Sequence, residues 1–183
     1  MDNGASSYRR FLDGEESAFD EILRDYRDPL TFFIYRYVHN QDVAEDITID
    51  VFVQLLVHRH RYNFKTSLKT YLFMMGRSRA LDYLRRQNRI RMVDISEAEG
   101  EIASDVSVEE MVIDDERKRL VNEAIRKLPE EMRVAVHLVY FENLTYEEAA
   151  KVMKKSRKQV DNLLYRAKGR LRTIIGEEGK GLI

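Results

Sequence analysis

Residues 144–172 read LTYEEAAKVMKKSRKQVDNLLYRAKGRLR, and they decide the fold class of this chain. Thr145 and Glu148 have the spacing of a capping box, in which a threonine hydroxyl and a glutamate carboxylate satisfy exposed backbone N–H groups at a helix start. Ser156 and Gln159 repeat that spacing one short helix later. The stretch therefore predicts a short helix, a tight turn and a second helix.

The second of these helices is predicted to have one apolar stripe and one polar, basic face. Two helices joined by a tight turn, the second longer and basic, are the layout of a helix-turn-helix, whose second helix enters the major groove of DNA. The sequence therefore predicts DNA binding; the alternative is a generic basic amphipathic helix. The apolar stripe consists of Val160, Leu163, Leu164, Ala167 and Leu171.

Arg157 and Asn162 are the best candidates for reading bases, because arginine pairs bidentately with guanine and asparagine with adenine. Lys158, Asp161 and Tyr165 share their face. The other cations are predicted to contact phosphates, which set affinity rather than sequence choice. They are Lys154, Lys155, Arg166, Lys168, Arg170 and Arg172.

Composition also favours helices. The 183 residues include only 8 Gly and 2 Pro, whereas sheet folds need turn residues between many short strands. The absence of Cys excludes disulfides and thiolate zinc sites. No apolar run approaches the roughly 20 residues that cross a bilayer, and residues 1–10 lack the apolar stretch of a signal peptide. We expect an all-α, cytoplasmic protein with no membrane insertion of its own.

The net charge of −1 hides a strong segregation of charge along the chain. Residues 77–91 contain six Arg and one acid, and residues 151–173 contain nine Lys or Arg and one acid. Residues 94–116, between them, contain ten acids and no Lys or Arg. A single charge run is usually a solvated face, but this alternation indicates two polyanion-binding surfaces on separate modules.

Four helices are predicted before the acidic segment. Apolar residues at helical spacing predict one helix from Phe19 to Tyr26 and another from Leu30 to Tyr37, with a break at Asp28-Pro29. A third helix is expected from about Asp42 to His60 and a fourth from about Thr66 to Asn88.

The third predicted helix is apolar nearly all round. One stripe can face the domain core, and a second lies on a different face with two aspartates. A small domain rarely buries both faces of one helix, so the second stripe is a candidate partner surface; the alternative is burial by a neighbouring helix. The first stripe is Ala44, Ile47, Val51 and Leu55, and the second is Ile49, Val53 and Val57, with Asp46 and Asp50.

Aromatic and basic residues interleave from residue 59 to residue 83. Aromatic side chains among cations suit unstacked bases, although aromatics at helical spacing are more often core. The aromatics are Tyr62, Phe64, Tyr71, Phe73 and Tyr83, and the cations are Arg59, Arg61, Lys65, Lys69, Arg77 and Arg79.

Residues 92–114 lack helical periodicity, and we expect an acidic, extended linker there. It separates a first domain, residues 1–91, from a second, residues 115–183. In the second, Val121 to Leu128 marks a helix that ends near Pro129, and Met132 to Val139 marks the next, ahead of the helix-turn-helix.

We find no pattern that predicts catalysis or a cofactor. His58 and His60 are two residues apart and so lie on different sides of a helix, with no Cys to complete a metal site. The sequence contains neither a Gly-rich phosphate loop nor a Ser nucleophile elbow. We therefore do not expect an enzyme.

Several segments, in order, resemble the sigma-70 family of RNA polymerase sigma factors. Residues 44–52 resemble its polymerase-binding helix, and residues 68–72 and 76–86 look like the helix that reads the −10 promoter element. Residues 128–131, 144–150 and 160–172 resemble the domain that reads the −35 element. The short length and bare linker resemble the extracytoplasmic-function group, which keeps only these two domains.

The resemblance implies two four-helix domains, similar to sigma regions 2 and 4. The partners it implies are core RNA polymerase, double-stranded promoter DNA, the single-stranded −10 non-template strand and an anti-sigma factor. Asp46, Ile49, Asp50 and Val53 would dock on the clamp helices of the polymerase, and the linker would thread through its RNA exit path.

The resemblance also implies that the loop from Arg61 to Ser67 captures a flipped non-template base. The residues expected to contact −10 DNA are Tyr62, Phe64, Lys65, Lys69, Tyr71, Arg77, Ser78, Arg85 and Arg86. The sequence departs from the family pattern at Tyr71, where Trp is usual, at Ser78, where Asn is common, and at Lys154, where Gly is usual. These departures leave the promoter consensus unassigned.

Two rival hypotheses explain less of the sequence. A helix-turn-helix regulator with an N-terminal sensing or dimerisation domain explains the second half, but not residues 77–91 or the second stripe of the third helix. An enzyme with a DNA-binding tail, such as a nuclease, would need a metal-ligand cluster that the sequence does not provide. Dependence on core polymerase separates the sigma-factor hypothesis from both.

Overall fold

The computed structural model describes residues 4–94 and 116–178, and within these ranges the chain is helical, with no strand. The chain divides into two compact units between Val106 and Ser107. The all-α fold class predicted from the sequence is confirmed. No helix in the described ranges is long and apolar enough to cross a membrane.

The first unit contains α1 (Ala5–Leu12), α2 (Ser17–Val38), α3 (Gln41–Val57) and α4 (Leu68–Asp94). Side chains fix where two of them begin. Asn40 accepts a hydrogen bond from the Val43 N–H at 3.0 Å, and the Ser67 hydroxyl accepts one from the Thr70 N–H at 3.2 Å. The third helix ends three residues before its predicted limit, because the chain turns at His58, whose carbonyl accepts the Arg61 N–H.

The predicted break at Asp28-Pro29 is wrong, because α2 continues through Pro29. Proline removes one helical hydrogen bond, but the apolar spacing keeps its phase across this point: Leu23, Leu30 and Tyr37 are seven residues apart. Burial of Leu30 and the residues after it against other helices outweighs the lost bond. The break was predicted from local propensity, which tertiary packing overrides here.

Helix α1 was not predicted from the sequence. Tyr8 is its one buried residue, and the rest of its surface is polar or only partly covered. A helix of eight residues that buries a single side chain has too short an apolar stripe to be recognised by periodicity.

The core of the first unit lies where α2 packs against α3 and α4. The rings of Phe33 and Phe73 are in tilted contact, with centroids 4.8 Å apart, and both are fully buried. Phe73 therefore belongs to the core and not to a base-stacking surface. Gly76 lets α4 approach α2, since a Cβ there would lie 2.9 Å from the Leu30 side chain. Thr31 and Thr48 link α2 to α3 by a buried hydrogen bond of 3.0 Å.

The second unit contains α5 (Glu116–Arg126), α6 (Glu130–Val136), a π-helical segment (His137–Phe141), α7 (Tyr146–Met153) and α8 (Arg157–Glu178). Its core holds the predicted Ala124, Ile125, Leu128 and Met132, whereas Val121 is exposed.

The predicted linker, residues 92–114, falls largely outside the described ranges. Its first three residues belong to α4, which ends at Asp94.

Candidate nucleic-acid interface

The helix-turn-helix is built by two capping boxes, as predicted. At the start of α7, the Thr145 hydroxyl accepts from the Glu148 N–H at 3.2 Å, and the Glu148 carboxylate accepts from the Thr145 N–H at 3.0 Å. At the start of α8, Ser156 and Gln159 make the same pair of bonds at 3.2 and 2.7 Å. Each box satisfies two backbone donors that the helix leaves unpaired.

The turn between the two helices is set by Lys154. Its backbone is left-handed, with φ of 53°, and the next N–H, of Lys155, donates to the Ala150 carbonyl at 2.9 Å. This conformation favours glycine, because a side chain at positive φ crowds the following carbonyl. A lysine stands here at a position that the resemblance assigns to glycine.

The two faces of α8 are separated as the spacing predicts. Val160, Leu164 and Ala167 are buried, and Leu163 and Leu171 are partly buried. The opposite face is solvent-exposed, and Tyr165 is 81% exposed. This face presents all of the predicted base-reading and adjacent residues, namely Arg157, Lys158, Asp161, Asn162 and Tyr165.

Three of the predicted DNA-contacting cations have partners within the second unit. Arg157 pairs with Glu147 of α7 at 2.6 Å, and Lys155 is half-buried and pairs with Glu131 at 2.7 Å. The Lys168 ammonium lies 5.5 Å from the centre of the Tyr140 ring. A hydrogen bond to Tyr140 raises the pKa of Lys168, so this side chain is cationic at neutral pH. Lys154, Arg166, Arg170 and Arg172 are exposed.

Glu147 and Tyr140 were missed by sequence reasoning. Glu147 is the second residue of the capped helix α7, and acids in a first helical turn are expected from the helix dipole alone. Only the crossing of α7 and α8 brings its carboxylate to Arg157. Tyr140 lies on the π-helical segment, whose register no apolar period predicts.

A buried polar pair precedes the helix-turn-helix. The His137 Nε2 atom lies 3.2 Å from a carboxylate oxygen of Glu142, and both side chains are buried. The His137 ring also stacks on Phe141. His137 sits in an apolar run, VAVHLVYF, where the sequence alone does not reveal a polar partner five residues on.

The aromatic cluster of the first unit surrounds the loop between α3 and α4. Tyr62 is only 3% exposed, packs against Tyr71 with ring centroids 5.2 Å apart, and donates its hydroxyl to the Thr66 carbonyl at 2.6 Å. Tyr62 is therefore a packing residue of the loop, and the expectation that it contacts DNA directly is not supported.

Phe64 and Lys65 lie on the outer side of the same loop. Phe64 is partly exposed and has a left-handed backbone, with φ of 59°. Its ring centre lies 4.6 Å from that of Tyr62. Lys65 is exposed, and its N–H donates to the Asn63 side chain at 3.1 Å. A partly open aromatic ring beside a free-standing lysine ammonium suits an unstacked base and its phosphate.

Helix α4 brings together some of the predicted −10 residues and separates others. Tyr71, Ser78 and Arg85 are seven residues apart and so lie along one side of the helix. Arg77 and Arg86 flank that side, and Lys69 faces away from it, with its ammonium 5.7 Å from the buried Phe73 ring. Arg85 also pairs with Asp82 at 2.7 Å.

The second stripe of α3 is exposed. Ile49, Val53 and Val57 are 56%, 48% and 68% exposed, and Asp46 and Asp50 beside them are exposed as well. The first stripe, which consists of Ala44, Ile47, Val51 and Leu55, is buried. Burial of the second stripe by a neighbouring helix, which the sequence left open, does not occur within the described residues.

Two family models match the chain in succession. Residues 22–90 match Sigma-70 region 2, and residues 118–171 match Sigma-70, region 4. The two models together span well over half of the chain.

Curated relatives match over most of both lengths. The chain is similar to the ECF RNA polymerase sigma factor SigM of Bacillus subtilis, with 26% identity over 157 residues, 85% of this chain and 93% of the relative. It is also similar to the RNA polymerase sigma-H factor of Pseudomonas aeruginosa, with 29% identity over 165 residues, 85% and 84% of the two chains. The ECF RNA polymerase sigma-E factor of Escherichia coli K12 is 27% identical over 152 residues, 79% of each.

Two solved structures have the same fold. The sigma factor RpoE of Bartonella quintana, crystallised with the anti-sigma factor NepR, superposes with a TM-score of 0.68 at 20% identity, over 86% of this chain and 96% of that chain. CnrH, in complex with the cytosolic domain of CnrY, superposes with a TM-score of 0.60 at 17% identity, over 96% of both chains.

Proposed function

Because this chain belongs to the sigma-70 family, as an extracytoplasmic-function sigma factor, we propose a division of its tasks among named residues of its two units. Members of this family are non-catalytic transcription initiation factors. They bind core RNA polymerase, recognise the −35 and −10 promoter elements and promote DNA opening. A regulator with an N-terminal sensing domain is not favoured, because the N-terminal unit itself matches region 2.

The second unit reads the −35 element through the exposed face of α8. Arg157 and Asn162 contact base edges, and the exposed lysines and arginines of the unit contact phosphates. The support for this assignment is geometric: the two capping boxes fix where α8 starts, and its apolar stripe fixes which face remains free.

The first unit reads and opens the −10 element. We call the loop from Arg61 to Ser67 the capture loop. A displaced base stacks on its Phe64 ring, and the Lys65 ammonium contacts the phosphate of that base. Opening requires unstacking, which costs a few kcal/mol per base and must be offset by a site for the freed base. Helix α4 follows the capture loop directly in the chain. We assign the further −10 contacts to the side of α4 that carries Tyr71, Ser78 and Arg85.

The α3 stripe binds core polymerase, and its exposure is the observation that carries the assignment. Ile49, Val53 and Val57 present three adjacent apolar side chains to solvent, with Asp46 and Asp50 beside them. Exposed apolar surface of this kind, rimmed by charge, marks a protein–protein contact. We place the chain with the polymerase in the cytoplasm.

The test is a double substitution in the stripe. Asp50→Arg with Val53→Glu should abolish co-purification with core polymerase, because it reverses one charge and places another in the apolar contact. The circular dichroism spectrum should be unchanged, since both side chains are exposed.

The matched control is Asp25→Arg with Ile90→Glu, which makes the same chemical changes at exposed positions of α2 and α4. It should co-purify with core as the native chain does. Normal co-purification of the stripe variant would remove α3 as the polymerase contact.

We also propose that an anti-sigma factor restrains this protein. The proposal is supported by the solved structure of RpoE of Bartonella quintana, which has the same fold and is in complex with the anti-sigma factor NepR, and by the apolar surface that α3 leaves open. An inhibitor that covers the α3 stripe would exclude core polymerase by direct competition.

A further inference from the structure

Helix α1 has no part in the roles assigned above, and it lies before the segment that matches Sigma-70 region 2. It nevertheless contacts the capture loop and the turn that leads into it. The contacts come from two consecutive residues, Tyr8, which is fully buried, and Arg9, which is exposed.

Tyr8 binds the backbone where the chain leaves α3. Its hydroxyl lies 2.8 Å from the Arg59 carbonyl oxygen and 3.3 Å from that of Leu55, and it donates its proton to this pair. Carbonyls at a helix C-terminus lack their usual helical partners, so this hydroxyl replaces a missing donor. Burial, with Tyr71 and Tyr62 nearby, raises the pKa of Tyr8 to about 12, which keeps the proton available for donation.

The ring of Tyr8 also supports the underside of the capture loop. It meets Tyr62 edge-on with centroids 5.3 Å apart, and Tyr62 in turn packs against Phe64. The Tyr62 hydroxyl holds the Thr66 carbonyl on the far side of the loop. The two tyrosine hydroxyls therefore hold the turn before the loop and the far end of the loop, and their rings pack against each other beneath it.

Arg9 reaches the outer side of the loop. Its guanidinium lies 5.0 Å from the centre of the Phe64 ring, within the range of a cation–π contact. Phe64 has a left-handed backbone that is unfavourable for a bulky residue, and such a conformation persists only where its surroundings hold it. The Arg9 guanidinium, the Tyr62 ring and the Tyr8 ring, whose centroid lies 6.2 Å from that of Phe64, hold it in place.

Helix α1 is itself tied to α2. The Ser7 hydroxyl donates to Glu21 at 3.0 Å, and Arg10 pairs with both Glu21 and Glu15. Hydrogen bonds from Ser7 and Arg10 hold the pKa of Glu21 below its usual value. The contacts of Tyr8 and Arg9 therefore start from a helix with a fixed position.

We propose that α1 is a positioning element for promoter opening: Tyr8 and Arg9 hold the capture loop in the shape in which Phe64 receives a displaced base. This inference rests on the proposed role of the loop. It makes Arg9 a residue that acts through Phe64. Tyr8 acts through the Arg59 and Leu55 carbonyls and through its ring contacts with Tyr62 and Phe64.

The test uses the full chain with core polymerase on a promoter fragment, with two measurements. Closed complexes are measured by gel mobility at low temperature, and opening by permanganate reactivity of the −10 thymines. Arg9→Gln should reduce reactivity roughly two- to fivefold, the size of an exposed cation–π contact, and Tyr8→Phe should reduce it at least as much. Core binding and closed complexes should be unchanged.

Two control variants make the same chemical changes elsewhere in the unit. Arg27→Gln removes an exposed arginine of α2, and Tyr35→Phe removes a hydroxyl from another buried tyrosine. Both should open DNA like the native chain.

A double variant tests whether Arg9 acts through Phe64. Phe64→Ala alone should reduce opening, and adding Arg9→Gln should then have no further effect. An equal further loss would show that Arg9 contacts DNA independently, which overturns the inference. A loss of core binding or closed complexes in Arg9→Gln or Tyr8→Phe would reduce α1 to a stabilising role and also overturn it.

The outcomes separate this inference from the proposed function. If Phe64→Ala impairs opening while Arg9→Gln and Tyr8→Phe do not, the capture loop keeps its role and α1 loses the one proposed for it. If Phe64→Ala opens DNA normally, the loop assignment fails and the inference falls with it.

Discussion

Arg157 and Lys168 are both cations of α8, but their surroundings differ. Both side chains of the Arg157–Glu147 ion pair are exposed, and an exposed ion pair contributes little stability. The guanidinium can therefore leave Glu147 at little cost, as the proposed contact with a guanine edge requires. Lys168 lies against Tyr140, three helical turns further along α8, with a single ammonium that suits a phosphate.

These surroundings predict different effects of two substitutions. Arg157→Ala should cost about 1–3 kcal/mol of −35 binding and relax the preference at one base pair, because a bidentate contact is lost. Lys168→Ala should weaken binding to all sequences alike and reduce its salt dependence.

Binding titrations on a library of −35 variants, at several salt concentrations, would measure both effects. Equal, sequence-independent losses for the two variants would contradict the proposed orientation of α8.

At the scale of elements, the turn between α7 and α8 has an unfavourable residue. Lys154 occupies a left-handed conformation that costs a side-chain-bearing residue roughly 1–2 kcal/mol. The chain is held on both sides of the turn, by the Lys155 N–H bond to the Ala150 carbonyl and by the Ser156–Gln159 capping box at the start of α8. The Lys154 side chain is exposed near the start of α8. In the proposed −35 contact, its ammonium would bind a DNA phosphate, and this would compensate for the cost of the left-handed backbone.

We expect Lys154→Gly to be more stable than Lys154→Ala by about 1 kcal/mol, because only glycine is free of the left-handed cost. Both variants remove the same charge, so both should bind −35 DNA equally weakly. Thermal denaturation compares their stabilities, and a difference of 1 kcal/mol corresponds to roughly 4–8 °C in a domain of this size. Equal melting temperatures would argue against strain at residue 154.

At the scale of the whole molecule, each unit has a core made from its own helices. Leu30, Phe33 and Phe73 belong to the first, and Leu138 and Leu164 to the second. The basic surface of α4 and that of α8 likewise belong to different units, so the promoter contacts that we propose are divided between two compact units.

Residues 1–94 and residues 116–183, expressed separately, should therefore each fold. The second fragment should melt at the lower temperature, since a chain of 68 residues buries a smaller fraction of its surface than one of 94 residues. Circular dichroism melts of the two fragments and of the intact chain would test this. An unfolded fragment, or an intact chain far more stable than either, would mean that the units depend on each other.

Much of this structure was determined by short-range features of the sequence. The two capping boxes, the stripe of α8 and the two stripes of α3 follow from spacing alone, because hydrogen bonds across three residues and apolar periods of three to four residues are local properties. The function was predicted from a different feature, the resemblance of several segments, in order, to motifs of the sigma-70 family.

Other features were decided only by tertiary structure. Pro29 stays inside α2 because Leu30 and Phe33 are buried by helices distant in sequence, and no local preference reports that burial. Tyr62 and Phe64 are two residues apart in the same aromatic run, yet one is core and the other partly open. The difference comes from Tyr8, more than fifty residues earlier, whose ring and hydroxyl occupy the underside of the loop. Spacing predicts which residues share a face, but what covers that face depends on contacts between distant parts of the chain.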